Sequence, residues 1–237
     1  MGQFSYAFDD ILNISFAAHR INNGYEKISC NYAADAHRYS NRDIVALTAA
    51  ATLTAATEAY RPAMPNGFVP AVVTEQDRLQ TQATHKFFRR FTMLILGDSL
   101  TEFQKDMYTA YLQEDVTSQN LGLLAYIPSF IENEAATIAY KQNLKDNYYN
   151  SQDIAVGKWI NGDVEVLKRI YLKHHDLYLY FVGLGGDLIS FVKDEKYNIG
   201  EVVRLRAKSK KRETERDSGL TMTAVNYAKI QKLEKNT

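Results

Sequence analysis

Cysteine, proline and tryptophan are scarce in this chain, with one, four and one among 237 residues. A single cysteine, Cys30, closes no intramolecular disulfide and cannot build a cysteine-based zinc site. A reducing compartment is therefore expected: the cytoplasm, or the host cytoplasm if the protein is viral. No apolar run approaches the roughly 18 residues of a membrane span, so no membrane partner is expected. The opening MGQFSYAFDDILNISF lacks a basic region followed by an apolar core and a small-residue cleavage site, and no signal peptide is read there. An excess of one charge is also missing, with 28 Lys and Arg against 28 Asp and Glu. The chain is not poor in hydrophobic residues, at 46%. That is enough for one large core or two small ones and too much for disorder.

The neutral total conceals two unlike halves. Residues 151–237 carry 16 Lys and Arg against 12 Asp and Glu, a balance of +4; residues 1–150 carry 12 against 16. A basic half in a neutral chain points weakly to an acidic or nucleic-acid partner. The periodicity changes at the same place. Residues 1–150 read as helical: 43–60 with Ser40 or Asn41 as N-cap, 74–96 with Gly97 as C-cap, and 99–113 opened by a Ser99/Glu102 capping box. A short apolar run over 121–127 is stopped by Pro128, and one more helix follows over 132–149. Pro62, Pro65, Gly67 and Pro70 mark a loop that could split this half. In His85-Lys86-Phe87-Phe88-Arg89-Arg90-Phe91 the phenylalanines read as core and the cations as a wet edge. This half is expected to recruit a protein partner or to self-assemble.

From Lys158 onward the period is two. Strands are expected from 158 to 166, over 177–183, 187–193 and 200–210, and from 220 to 233, separated by glycine-rich turns. In 200–210, Arg204, Arg206, Lys208 and Lys210 alternate with Val203, Leu205 and Ala207. One face therefore seeks a core and the other an anion or water. Lys211 and Arg212 extend the charge. In 177–183, Tyr178 and Tyr180 share a face opposite Leu177, Leu179 and Phe181, and are expected to point outward. Trp159 reads as core or rim packing.

These stretches, WINGDVEVLKRIYL, LYLYFVGLGGDLISFVK, NIGEVVRLRAKSKKRE and TAVNYAKIQKL, resemble the OB-fold of single-strand nucleic-acid-binding proteins. In that family a strand of pattern G-E/D-x-V-x-L/I-x-A/G commonly precedes the last strand, and GEVVRLRA matches it. The resemblance covers residues 153–233. It implies an α+β protein, a mainly helical region followed by a five-stranded OB-type β-barrel over 151–237. It also implies non-catalytic binding of single-stranded nucleic acid, DNA rather than RNA, in replication, recombination or repair. Cationic grooves and aromatic platforms are what such strands require. The expected contacts are Arg204, Arg206, Lys208, Lys210, Lys211, Arg212 and Lys193 for phosphates and Tyr178 and Tyr180 for bases.

Two alternatives stay open. A scaffold protein of a complex or virion would use the basic strand as a solvated face, since Lys and Arg on strands also guard edges against aggregation. A metal-dependent nuclease would use His174-His175-Asp176 or the acidic pairs Asp9-Asp10 and Glu132/Glu134. Against it, the histidine trio falls between two strand patterns and reads as a hairpin loop. Gly183-Leu184-Gly185-Gly186 precedes a strand rather than a helix with Lys-Ser/Thr, so it reads as a turn and not a phosphate loop. No cofactor, metal or catalytic constellation is expected.

Overall fold

The structure is a computed structural model that describes residues 6–32, 36–53, 64–97, 100–113, 115–117, 120–216 and 218–233. The chain divides into two compact units, Met1–Glu134 and Ala135–Thr237. No described helix is long and apolar enough to cross a membrane.

In the first unit a short strand, β1 (Tyr6–Ala7), leads into α1 (Phe8–Asn22), which ends on Asn23 in the left-handed region. Asp9 and Asp10 in its first turn and His19 and Arg20 in its last complement the helix dipole. A small hairpin of β2 (Cys30–Tyr32) and β3 (Ala36–Arg38) precedes α2 (Asn41–Thr52). The Ser40 side chain caps α2 by accepting from the Asp43 amide. The expected extension of this helix to residue 60 lies outside the described residues. Helix α3 (Glu75–Leu96) opens with a capping box between Thr74 and Asp77. Helix α4 (Glu102–Tyr111) opens with another, between Thr101 and Gln104. That box is not the expected Ser99/Glu102 pair; Ser99 lies outside the described residues. After β4 (Asp115–Val116), which pairs with β1, comes α5 (Leu121–Asn147).

Pro128 does not stop the chain where expected. It lies inside α5 and removes one backbone hydrogen bond. Leu124, Ala125, Ile127 and Phe130 are all buried around it. Their burial, at roughly 1.5–3 kcal/mol for a large apolar side chain, outweighs the proline penalty of about 3 kcal/mol.

The core of the first unit is aromatic at its centre. Phe88 and Phe91 of α3 are buried, with Phe88 stacked on Tyr111 at 4.4 Å between centroids. Lys86 and Arg89 face water, and the Arg90 guanidinium lies 3.8 Å over the Phe87 ring. The phenylalanines are thus packing residues with a cationic edge.

The second unit is built on five strands: β5 (Trp159–Leu172), β6 (Leu177–Leu184), β7 (Asp187–Lys193), β8 (Val202–Thr214) and β9 (Thr221–Lys232). They form one sheet in the order β5-β6-β7-β9-β8, and β8 pairs back onto β5, so the sheet closes on itself. All neighbours are antiparallel except β7 and β9, which are parallel for three pairs. Strand β5 serves two neighbours, β8 along its first half and β6 along its second. The change falls at a bulge, where Leu167 is the extra residue between Val166 and Lys168. Inside lie Ile160, Val164, Tyr180, Phe191, Tyr197 and Leu205 among others. Leu167 is turned instead to a second cluster with Tyr140, Leu144 and Tyr148. Those three recur every four residues, so the last turns of α5 lay one stripe on the sheet. For that reason the units divide at Glu134/Ala135 and not at residue 150.

Candidate nucleic-acid interface

On β8 the alternation is realised side chain by side chain. Val203, Leu205 and Ala207 are buried, while Arg204, Arg206 and Lys210 are exposed and Lys208 is half-exposed. Register then decides what each cation meets. Across the outer face the rows read Trp159–Lys208–Asn226, Asn161–Arg206–Lys229 and Asp163–Arg204–Gln231. Trp159 is 58% exposed, and the Arg206 guanidinium lies 5.3 Å over its ring. This corrects the expectation that Trp159 packs in the core or rim. The signal was available, because Trp159 has the parity of Asn161 and Asp163, opposite to Ile160 and Val164.

The cations are not equivalent. Arg204 donates two hydrogen bonds to Asp163, at 2.7 and 3.1 Å. These bonds hold the Asp163 carboxyl below its usual range and raise the guanidinium. Lys211 pairs with Glu213 at 2.7 Å, Lys193 with Asp194 at 3.4 Å, and Arg212 donates to Thr221 Oγ1. Arg206, Lys208, Lys210 and Lys229 meet no carboxylate among the described residues. Uncompensated charge on this face therefore sits beside the indole and along the edge of β8 that carries Lys210.

A second exposed aromatic ring was not anticipated. Between Arg206↔Lys229 and Lys208↔Asn226, β9 carries one residue more than β8. This bulge puts Tyr227 at φ 57, in the left-handed region, with its ring 73% exposed. A bulky side chain rarely adopts that backbone. Nearby, beyond Ser190↔Ala224, β7 and β9 part. There a cleft of about 320 Å³ opens, lined by Phe191, Val192, Lys210, Lys211, Val225 and Tyr227 among others.

Tyr180 is not a platform. The expectation placed it outward with Tyr178, but its ring is fully buried. Its hydroxyl donates to the Glu195 carbonyl at 2.7 Å and accepts from the Tyr197 amide at 3.0 Å. Burial raises its pKa, so it stays a neutral strut. Leu177, Leu179 and Phe181 take the outer parity and are half-covered. Tyr178 is also half-buried, with the Arg169 guanidinium 5.5 Å over its ring. The physical reason is that every residue of LYLYFV is apolar or aromatic, so either parity could enter the barrel. Tyr180 prevails because backbone partners satisfy its hydroxyl inside.

His174 and His175 lie in the exposed turn between β5 and β6, where Asp176 accepts from the Tyr171 hydroxyl at 2.7 Å. Among the described residues, no three His, Cys, Asp or Glu side chains gather as a metal group would require. In the first unit His19 meets Ser129 at 3.0 Å and Glu132 at 3.4 Å, yet both contacts use Nε2. A proton relay needs the acid on one ring nitrogen and the hydroxyl on the other, so this trio is no catalytic triad. The chain matches no family model, no curated protein and no solved structure among those compared.

Proposed function

We propose that the second unit is an OB-type barrel that binds single-stranded nucleic acid, DNA before RNA, without catalysis. The reading rests on one observation: an exposed tryptophan flanked by Arg206 and Lys208 in register, with Lys229 next to Arg206. The strand order and the parallel β7–β9 pair suit a five-stranded Greek-key barrel. Cations neutralise phosphates and rings stack bases; each stacked base contributes about 1–3 kcal/mol. Trp159 and Tyr227 take the stacking role first assigned to Tyr178 and Tyr180. Arg206, Lys208, Lys210 and Lys229 take the phosphates, ahead of Arg204, which Asp163 already occupies. A role in replication, recombination or repair follows from the ligand and is part of the proposal.

The test uses the chain's single tryptophan. Titration with a single-stranded oligonucleotide should quench Trp159 fluorescence, and duplex of the same length should do so far less. Affinity should fall steeply with salt, the logarithmic slope tracking the number of phosphates neutralised. Arg206→Glu, Lys208→Glu and Lys229→Glu together should abolish binding while circular dichroism stays unchanged. Unquenched fluorescence with no anisotropy change would discard the reading in favour of a protein-facing scaffold surface.

A further inference from the structure

The first unit has its own surface where aromatic faces meet unpaired cations. A cleft of about 550 Å³ is lined by Tyr25, Lys27, Arg42, Phe103, Leu123 and Tyr126, with Gly122 beside them. That volume lies within the range of about 300–1,000 Å³ usual for small-molecule sites. Tyr126 is packed edge-on by Tyr25 at 4.7 Å and by Phe103 at 5.8 Å between centroids. Phe103 nevertheless leaves 46% of its surface in water. The aromatic group is therefore an incomplete cluster with an open side.

Charge identifies the missing occupant. No carboxylate lines the cleft. Lys27 and Arg42 are exposed and pair with no acid among the described residues. The acids next to them in sequence are engaged elsewhere: Glu26 with Arg38 at 3.4 Å, and Asp43 with the Ser29 hydroxyl at 2.5 Å. Arg42 also lies in the first turn of α2, where the helix dipole disfavours a cation. The first turn of α5, which brings Gly122 and Leu123 to the cleft, contains no acid either. Burial and Tyr126 raise the Tyr25 phenol, which stays neutral and adds no negative charge. An amine or a metal cation would find no counter-charge here. A ligand with a flat ring and an anionic group would satisfy both halves of the lining.

We infer that this cleft binds a nucleoside phosphate. The base lies against Tyr25, Phe103 and Tyr126, and the phosphate is held by Arg42, whose planar guanidinium suits bidentate contact, and by Lys27. The same chemistry arrives either as a free nucleotide or as the phosphorylated end of a strand. The site is independent of the barrel reading and stands if that reading fails.

Calorimetric titration of the full chain with ADP, pyrophosphate and a phosphotyrosine peptide tests it. ADP should bind, and pyrophosphate at least about tenfold more weakly, because it lacks the ring. Arg42→Ala and Phe103→Ala, both at exposed positions, should each weaken ADP by about tenfold with unchanged circular dichroism. The barrel variant Arg206→Glu/Lys208→Glu should bind ADP as wild type does. In that variant, binding of a 5′-phosphorylated but not a 5′-hydroxyl oligonucleotide assigns the strand end, and ADP binding alone assigns the free nucleotide; both support the site. Absence of binding by ADP and by the phosphorylated strand, equal affinity for pyrophosphate, ADP affinity untouched by Arg42→Ala, or tighter binding of the phosphotyrosine peptide would each overturn it.

Discussion

Tyr227 occupies a backbone conformation that costs a bulky residue roughly 1–2 kcal/mol and glycine almost nothing. Its ring is mostly in water, so little packing depends on it. Tyr227→Gly should therefore leave thermal stability level or raise it by up to about 1 kcal/mol. Single-strand affinity should fall by about 1–3 kcal/mol, the worth of one stacked base. Melting curves and anisotropy on the same preparation check this; a destabilised variant with unchanged affinity would make Tyr227 a purely structural residue. Asp77 shows the opposite case, a polar residue that serves the fold. Its carboxylate is fully buried and receives Arg20 at 2.9 Å as well as the Thr74 amide and hydroxyl. Burial pushes its pKa up, but the bonds from Arg20 and Thr74 prevail and hold it below the usual carboxylate range. Because the folded pKa is lowered, its contribution is complete at neutral pH. It fades as pH falls past the unfolded value near 3.9 and then through the folded one. Asp77→Asn should cost about 2–3 kcal/mol at pH 7 and progressively less as pH falls below about 4, read from melting temperatures across that range.

At the level of elements, β6 and Tyr148, the residue just after α5, meet closely because a side chain is missing. A Cβ added to Gly183 would come within 1.9 Å of the Tyr148 hydroxyl oxygen. Tyr148 belongs to the stripe with Tyr140 and Leu144 that lies on the sheet. Gly183→Ala should push that ring out and destabilise the second unit by about 1–3 kcal/mol. Tyr148→Ala in the same background should remove the clash, so the double mutant costs less than the two single losses combined. Elements also mark where reading a sequence succeeds and where it fails. Strand β8 was legible because its two parities differ in kind, Val-Leu-Ala against Arg-Arg-Lys. Strand β6 was located but not oriented, because both of its parities are apolar. The Pro128 break was a sound local inference that buried neighbours on both sides of it overruled.

For the molecule as a whole, the two units have separate cores, one centred on Phe88 and Phe91, the other inside the barrel. Residues 135–237 should accordingly fold alone, show strand-rich circular dichroism and bind single-stranded oligonucleotide within about threefold of the full chain. Residues 1–134 should not bind it through the same contacts. Loss of binding by the isolated second unit would mean that the first unit supplies part of the interface. The charge division of the chain agrees with this prediction, since residues 135–237 carry 18 Lys and Arg against 13 Asp and Glu.

What the sequence determined by itself was local and periodic. It separated a mainly helical first part from a strand-built second part, placed β6, β7 and β9 to within about one residue and found where β5 and β8 begin. It also set the cationic face of β8, because a two-residue period with unlike parities admits only one orientation against a core. What it could not determine was neighbour choice. Whether Arg204 is neutralised by Asp163 or left for a ligand, and whether Trp159 stands beside Lys208, depends on the register between β5 and β8, residues more than forty positions apart. The extra residue that turns Tyr227 outward exists only relative to the partner strand. Such features arise from pairing and closure, so they came into being with the tertiary structure.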